Sequence, residues 1–149
     1  MEEVMSRFIL ALVFVFSIAV YGGDKAKTSS DKIIAQYEKI EANLLVGLAS
    51  GNKGLMTSSA YYLGEMKSKK AVIPLMEKLQ EMDCNCTELR IVAALSLIKI
   101  GDARGVYLVK RTAELDGNPR VKRFSTIFYN AFVNPQQPDS VRSTLIAKD

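Results

Sequence analysis

Ala60-Tyr61-Tyr62-Leu63-Gly64-Glu65-Met66 leads into Ala71-Val72-Ile73-Pro74-Leu75, and 34 residues later Ala94-Leu95-Ser96-Leu97-Ile98-Lys99-Ile100 leads into Gly105-Val106-Tyr107-Leu108-Val109. A pattern with that period predicts helix pairs that cannot bury their apolar faces alone and stack on their neighbours. The expected fold is all-α, a short α-solenoid of about three helix pairs. Such stacks bind many unrelated things, so the repeat specifies architecture and leaves the function open.

Apolar spacing extends the pattern in both directions. Ile33, Ile34, Tyr37, Ile40, Leu44, Leu45 and Leu48 recur at intervals of three and four, a stripe on one long helix. Ala49-Ser50-Gly51-Asn52 breaks it. A second helix follows from Lys53 to Met66, with Leu55, Met56, Ser59, Ala60, Tyr62 and Leu63 expected inward. Val72 to Leu79 forms its partner, with Pro74 in the first turn, where a missing N–H costs little. Leu89 to Ile100 and Gly105 to Leu115 form the next pair, joined by Gly101-Asp102. Asp116-Gly117-Asn118-Pro119 is turn chemistry throughout, and Pro119 opens a helix to Val133 with Phe124, Ile127, Phe128, Ala131 and Phe132 along its stripe. Asn134-Pro135 stops it, and Asp139 or Ser140 is placed to cap a last short helix. No strand pattern is present.

The N-terminus reads differently. Arg7 precedes the apolar run Phe8 to Val20, the layout of a secretory signal, with the cut placed after Gly22. The run is shorter than the roughly 18 residues of a spanning helix, which makes an uncleaved anchor the lesser reading. The expected organisation is a signal peptide at 1–22, a flexible polar leader at 23–30 and a helical repeat domain at 31–149. Cleavage leaves 127 residues carrying 19 Lys and Arg against 14 Asp and Glu, a net +5. That charge is too small to name a partner. The expected location is the periplasm, or outside the cell, of a bacterium. Membrane contact is expected only through the N-terminal segment if it stays attached.

Composition excludes some chemistry. The chain contains no His, so it holds neither a Ser-His-Asp nor a Cys-His nucleophile system, nor a His-based metal centre. Cys84 and Cys86, the two cysteines of the chain, share one loop. In an oxidising compartment such neighbours can pair, at the expense of a tight turn. They are read as a local disulfide or an ordinary turn, with thiol redox chemistry as the functional alternative and a metal site poorly supported. Asn85-Cys86-Thr87 also fits the N-glycosylation pattern, relevant only in a eukaryote. Glu38, Glu41, Glu77, Glu81 and Asp102 are scattered and suggest no acid–base couple.

Lys110-Arg111 and Arg120-Val121-Lys122-Arg123, followed by Phe124, Phe128 and Tyr129, form the densest basic region, with Arg104 nearby. Basic residues interleaved with aromatics can track nucleic acid. The aromatics fit a core stripe better, and export argues against nucleic acid as a partner.

Leu89-Arg90-Ile91-Val92-Ala93-Ala94-Leu95-Ser96-Leu97-Ile98-Lys99-Ile100-Gly101-Asp102-Ala103-Arg104-Gly105-Val106 resembles a HEAT repeat of the bilin-lyase-like bacterial subclass. Arg90, Ala93, Ala94, Gly101 and Asp102 carry the resemblance, which extends over Ile33 to Val133. Met56 stands where Arg90 would be in the preceding repeat, and Val121-Lys122-Arg123 follows at an offset of 32 residues. The resemblance implies first helices on a convex side and second helices lining a concave one. It implies that Asp102 caps a second helix and that Arg90 sits near carboxylates or carbonyls between repeats. On the second helices, Glu77, Lys78, Lys110, Arg111 and Glu114 fall off the apolar stripes and are the candidate binding residues of the concave face. A mixed charged face suits an unidentified protein or peptide partner more than a small molecule. The expected function is therefore non-catalytic protein binding or scaffolding, with no cofactor and no metal. A cofactor binder like the bilin lyases is a further alternative, weakened by export and by the absence of His.

Overall fold

A computed structural model describes residues 23–82 and 86–135. All regular structure among the described residues is helical: α1 Gly23–Leu48, α2 Lys53–Glu65, a 3-10 turn Lys69–Ala71, α3 Val72–Gln80, α4 Thr87–Ile100, α5 Ala103–Leu115 and α6 Pro119–Val133. The expected signal peptide (1–22) and last short helix lie outside the described residues. The expected leader at 23–30 falls inside α1. Lys25, Ala26 and Lys27 are good helix formers, and continuing the helix keeps backbone bonds that a coil would give up to water.

The chain divides into two compact units, Met1–Ile40 and Glu41–Asp149, whose boundary lies within α1. In the first unit Ile33, Ile34, Tyr37 and Ile40 are exposed, at 45–66%. In the second, Leu44 and Leu45 are half-buried and Leu48 is buried. One stripe by spacing is thus two faces by environment.

The second unit is built around α4, which packs against α2, α3, α5 and α6. Its sequence is apolar on nearly every side, as a helix with neighbours all round requires. Leu89, Ala93, Ala94 and Leu97 are buried there with Leu63 of α2, Val72, Leu75 and Leu79 of α3, Val109 of α5 and Val121 of α6. The α2–α4 crossing is close because the residues are small. A Cβ on Gly64 would lie 2.6 Å from Ser96 Cβ, and Ser96 Oγ donates to the Ala60 carbonyl at 2.8 Å. Leu55 and Tyr62, expected inward, are 49% and 55% exposed. The seam on α2 is narrow, formed by Met56, Ser59, Ala60, Leu63 and Gly64, and leaves both on its flank.

Caps explain the helix starts. Asn52 Oδ1 accepts from Leu55 N at 3.1 Å, and Asp102 Oδ1 accepts from Arg104 N at 3.0 Å. Asn118 Oδ1 accepts from Arg120 N and Val121 N at 3.0 and 3.2 Å, with Pro119 inside the first turn of α6. Gly101, at φ 73°, ends α4 in the left-handed region.

Ser125 lies in the middle of α6. It is fully buried, and its Oγ has no hydrogen-bond partner among the described residues. An unmet buried hydroxyl is destabilising, so Ser125→Ala should raise stability by about 1 kcal/mol. A thermal melt that falls on this substitution would contradict the placement.

Glu41 joins α1 to the α2–α3 connection. Ser68 Oγ donates to Glu41 Oε1 at 2.5 Å, and Lys70 Nζ lies 2.9 Å from Oε2. The Ser68 hydrogen bond, followed by that of Lys70, holds the Glu41 carboxyl below its ordinary value of 4.5. The folded value lies below the unfolded one, so the stabilisation is present above about pH 4.5 and is lost as pH falls through the folded value. Urea midpoints should therefore separate wild type from Glu41→Gln at neutral pH, and the gap should narrow as pH falls below about 4.5. A constant gap across that range would contradict the role given to the carboxylate.

Candidate functional site: a groove over a buried ion pair

Arg90 lies in the first turn of α4 and is only 6% exposed. Its Nε donates to the Leu79 carbonyl at 2.8 Å, and its guanidinium pairs with Asp116 at the C-terminal end of α5. Asp116 Oδ1 accepts from Asn118 N at 2.9 Å, and Asn118 Nδ2 donates to Thr87 Oγ1 at 3.1 Å. One polar network thus ties together the end of α3, the start of α4, the end of α5 and the start of α6. Every charge in it has a partner, as burial demands.

Above this network lies an open groove of about 160 Å³. Leu79, Gln80 and Met82 form one wall, and Leu108, Arg111 and Leu115 the other. Met82 and Leu115 are 73% and 69% exposed, so the mouth of the groove offers apolar surface to solvent. Of the five candidate binding residues, only Arg111 lines the groove. Glu77, Lys110 and Glu114 are exposed outside its lining, and Lys78 is half-buried and paired with Glu81 at 2.9 Å.

Charge spacing alone did not find Leu108, Leu115, Met82 or Asp116. Leu108 and Leu115 read as ordinary stripe positions and Asp116 as a turn residue. The available signal was the buried Arg at 90, which needs a carboxylate within reach.

The basic region is largely neutralised or turned inward. Arg104 pairs with Asp102 at 3.0 Å, Arg120 with Glu88 at 2.8 Å, and Lys122 Nζ donates to the Glu114 carbonyl at 2.8 Å. The Arg104 hydrogen bonds hold the Asp102 carboxyl below its usual range. Phe128 and Tyr129 pack against the core, and Phe124 sits 6.0 Å from Phe128.

Cys86 is disulfide-bonded, 4% exposed and part of the core cluster. Cys84 and Asn85 lie outside the described residues. Thr87 Oγ1, at the start of α4, accepts the hydrogen bond from Asn118. Among the described residues no cluster of three or more His, Cys, Asp and Glu could hold a metal ion, and no helix is long and apolar enough to cross a membrane.

A second polar cluster lies where α2 meets α4. Lys99 Nζ sits 4.8 Å from the Tyr61 ring centroid and pairs with Glu65. The Lys99 hydrogen bond, then that of Tyr61, lowers the Glu65 carboxyl, and Glu65 in turn raises the Tyr61 phenol. Its groups answer one another on an exposed surface.

No family model matches the chain, no characterised protein matches it, and no solved structure matches it.

Proposed function

We propose that this chain is a non-catalytic protein-binding module, a HEAT-like stack of helix pairs exported to the bacterial periplasm behind a cleaved signal segment. Its partner is a protein or peptide read on the face of α3 and α5. The observation that carries the reading is the groove between those helices, where large exposed apolar side chains flank the Arg111 guanidinium. Exposed apolar surface rimmed by polar groups is the usual mark of a docking site. The packing of α2, α4 and α6 side by side agrees with first helices forming one layer, as the resemblance implies.

Photo-crosslinkers placed at Lys110 and Glu114 should capture one specific protein from intact cells, and a crosslinker at Ser58 on α2 should not. Recovery of nothing specific from α5 would remove the reading.

The alternative is a thiol redox protein using Cys84 and Cys86. Its support is the disulfide at Cys86. Against it stands the burial of Cys86 in the core, since exchange needs an accessible sulfur. Replacing both cysteines with Ser should leave crosslinking from α5 intact; its loss in a folded double variant would favour the redox reading.

A further inference from the structure

We propose that the groove over the Arg90–Asp116 pair takes an acidic peptide anchored by one apolar side chain, with a carboxylate of that peptide on the Arg111 guanidinium. The inference rests on the protein-binding reading above and names the chemistry of the partner.

The argument is one of complementarity. Among the described residues, three charged residues line the groove: Arg90, Arg111 and Asp116. Arg90 and Asp116 neutralise each other and are buried. Arg111 is exposed and enters none of the ion pairs or side-chain hydrogen bonds among the described residues. Among the described residues the groove therefore presents one unmet positive charge. Thr112 Oγ1 donates to the Leu108 carbonyl at 3.0 Å, so that hydroxyl is turned toward its own helix. The rest of the lining is Gln80 and the apolar Leu79, Met82, Leu108 and Leu115. An apolar side chain gains by leaving water there. A carboxylate beside it gains a charge-assisted, two-pronged hydrogen bond that only a guanidinium offers. A basic peptide would meet Arg111 as a like charge. A wholly polar one would leave the exposed Met82 and Leu115 in water.

The test uses the purified full chain and three fluorescein-labelled peptides of equal length, carrying Leu beside Asp, Leu beside Lys, or Ser beside Asp. The Leu–Asp peptide should bind at least about tenfold more tightly than the other two. Arg111→Glu should reduce its affinity about tenfold or more, and Leu115→Ser should also weaken it. Both residues are exposed, and unchanged circular dichroism checks that the variants fold. Amide shifts on titration should centre on Leu108 to Asp116. Equal binding of the three peptides, indifference to Arg111→Glu, or shifts centred on α2 would overturn the proposal. If α5 crosslinkers still capture a specific protein in cells while the peptide results fail, the protein-binding reading stands and this inference falls. If the crosslinkers capture nothing, that reading falls with it.

Discussion

Asp116→Ala is expected to lower the unfolding free energy by about 3–5 kcal/mol, a large share of what a domain of this size holds. Removing the carboxylate leaves the Arg90 guanidinium inside the protein, held by its hydrogen bond to the Leu79 carbonyl. The substitution also takes the acceptor from Asn118 N, loosening the turn that starts α6. Asp116→Asn separates the two effects, because an amide can keep the turn while losing the charge. The double replacement Arg90→Met with Asp116→Leu should recover most of the loss, since well-packed apolar side chains often replace a buried pair at little cost. Urea unfolding followed by circular dichroism measures all three. A loss below about 1 kcal/mol for Asp116→Ala would mean that the pair is solvated and is not the tie between the helix ends.

Gly64→Ala should cost about 1–3 kcal/mol, although Ala is the better helix former by about 1 kcal/mol. The new methyl would lie 2.6 Å from Ser96 Cβ and 2.8 Å from Ser96 Cα, so the backbone of α4 would have to move. That movement also stretches the Ser96-to-Ala60 hydrogen bond. Gly54, in the same helix, provides the control: its nearest neighbour is Asn52 Oδ1 at 3.4 Å. Gly54→Ala should be neutral or mildly stabilising. Ser96→Gly should restore part of what Gly64→Ala loses. If both Gly-to-Ala changes stabilise equally, the close crossing of α2 and α4 is wrong.

Much of this architecture was legible in the sequence, for identifiable reasons. The 34-residue recurrence marked α2 and α4 because their matching positions, Ala60 with Ala94 and Leu63 with Leu97, are buried in the same way. Asp102 and Asn118-Pro119 announced their helix starts because capping is local chemistry. Leu55, Tyr62, Ile73 and Tyr107 were harder to place. Each is apolar or aromatic at a plausible stripe position, yet each is exposed, because the width of a helix's seam depends on how many neighbours it has. The groove was least legible. It exists because Arg90 draws Asp116 to the end of α3 across 26 residues of chain, and no local spacing records that distance. Arg111 was singled out by its charge, and its apolar surroundings came from two separate segments, 79–82 and 108–115.

The central claim is that the face of α3 and α5 receives a protein partner. Hydrogen–deuterium exchange on the chain with and without the protein captured from α5 tests it most directly. Exchange should slow in residues 75–82 and 105–116, with α2 unchanged. Protection confined to α2, or no protection anywhere, would contradict it.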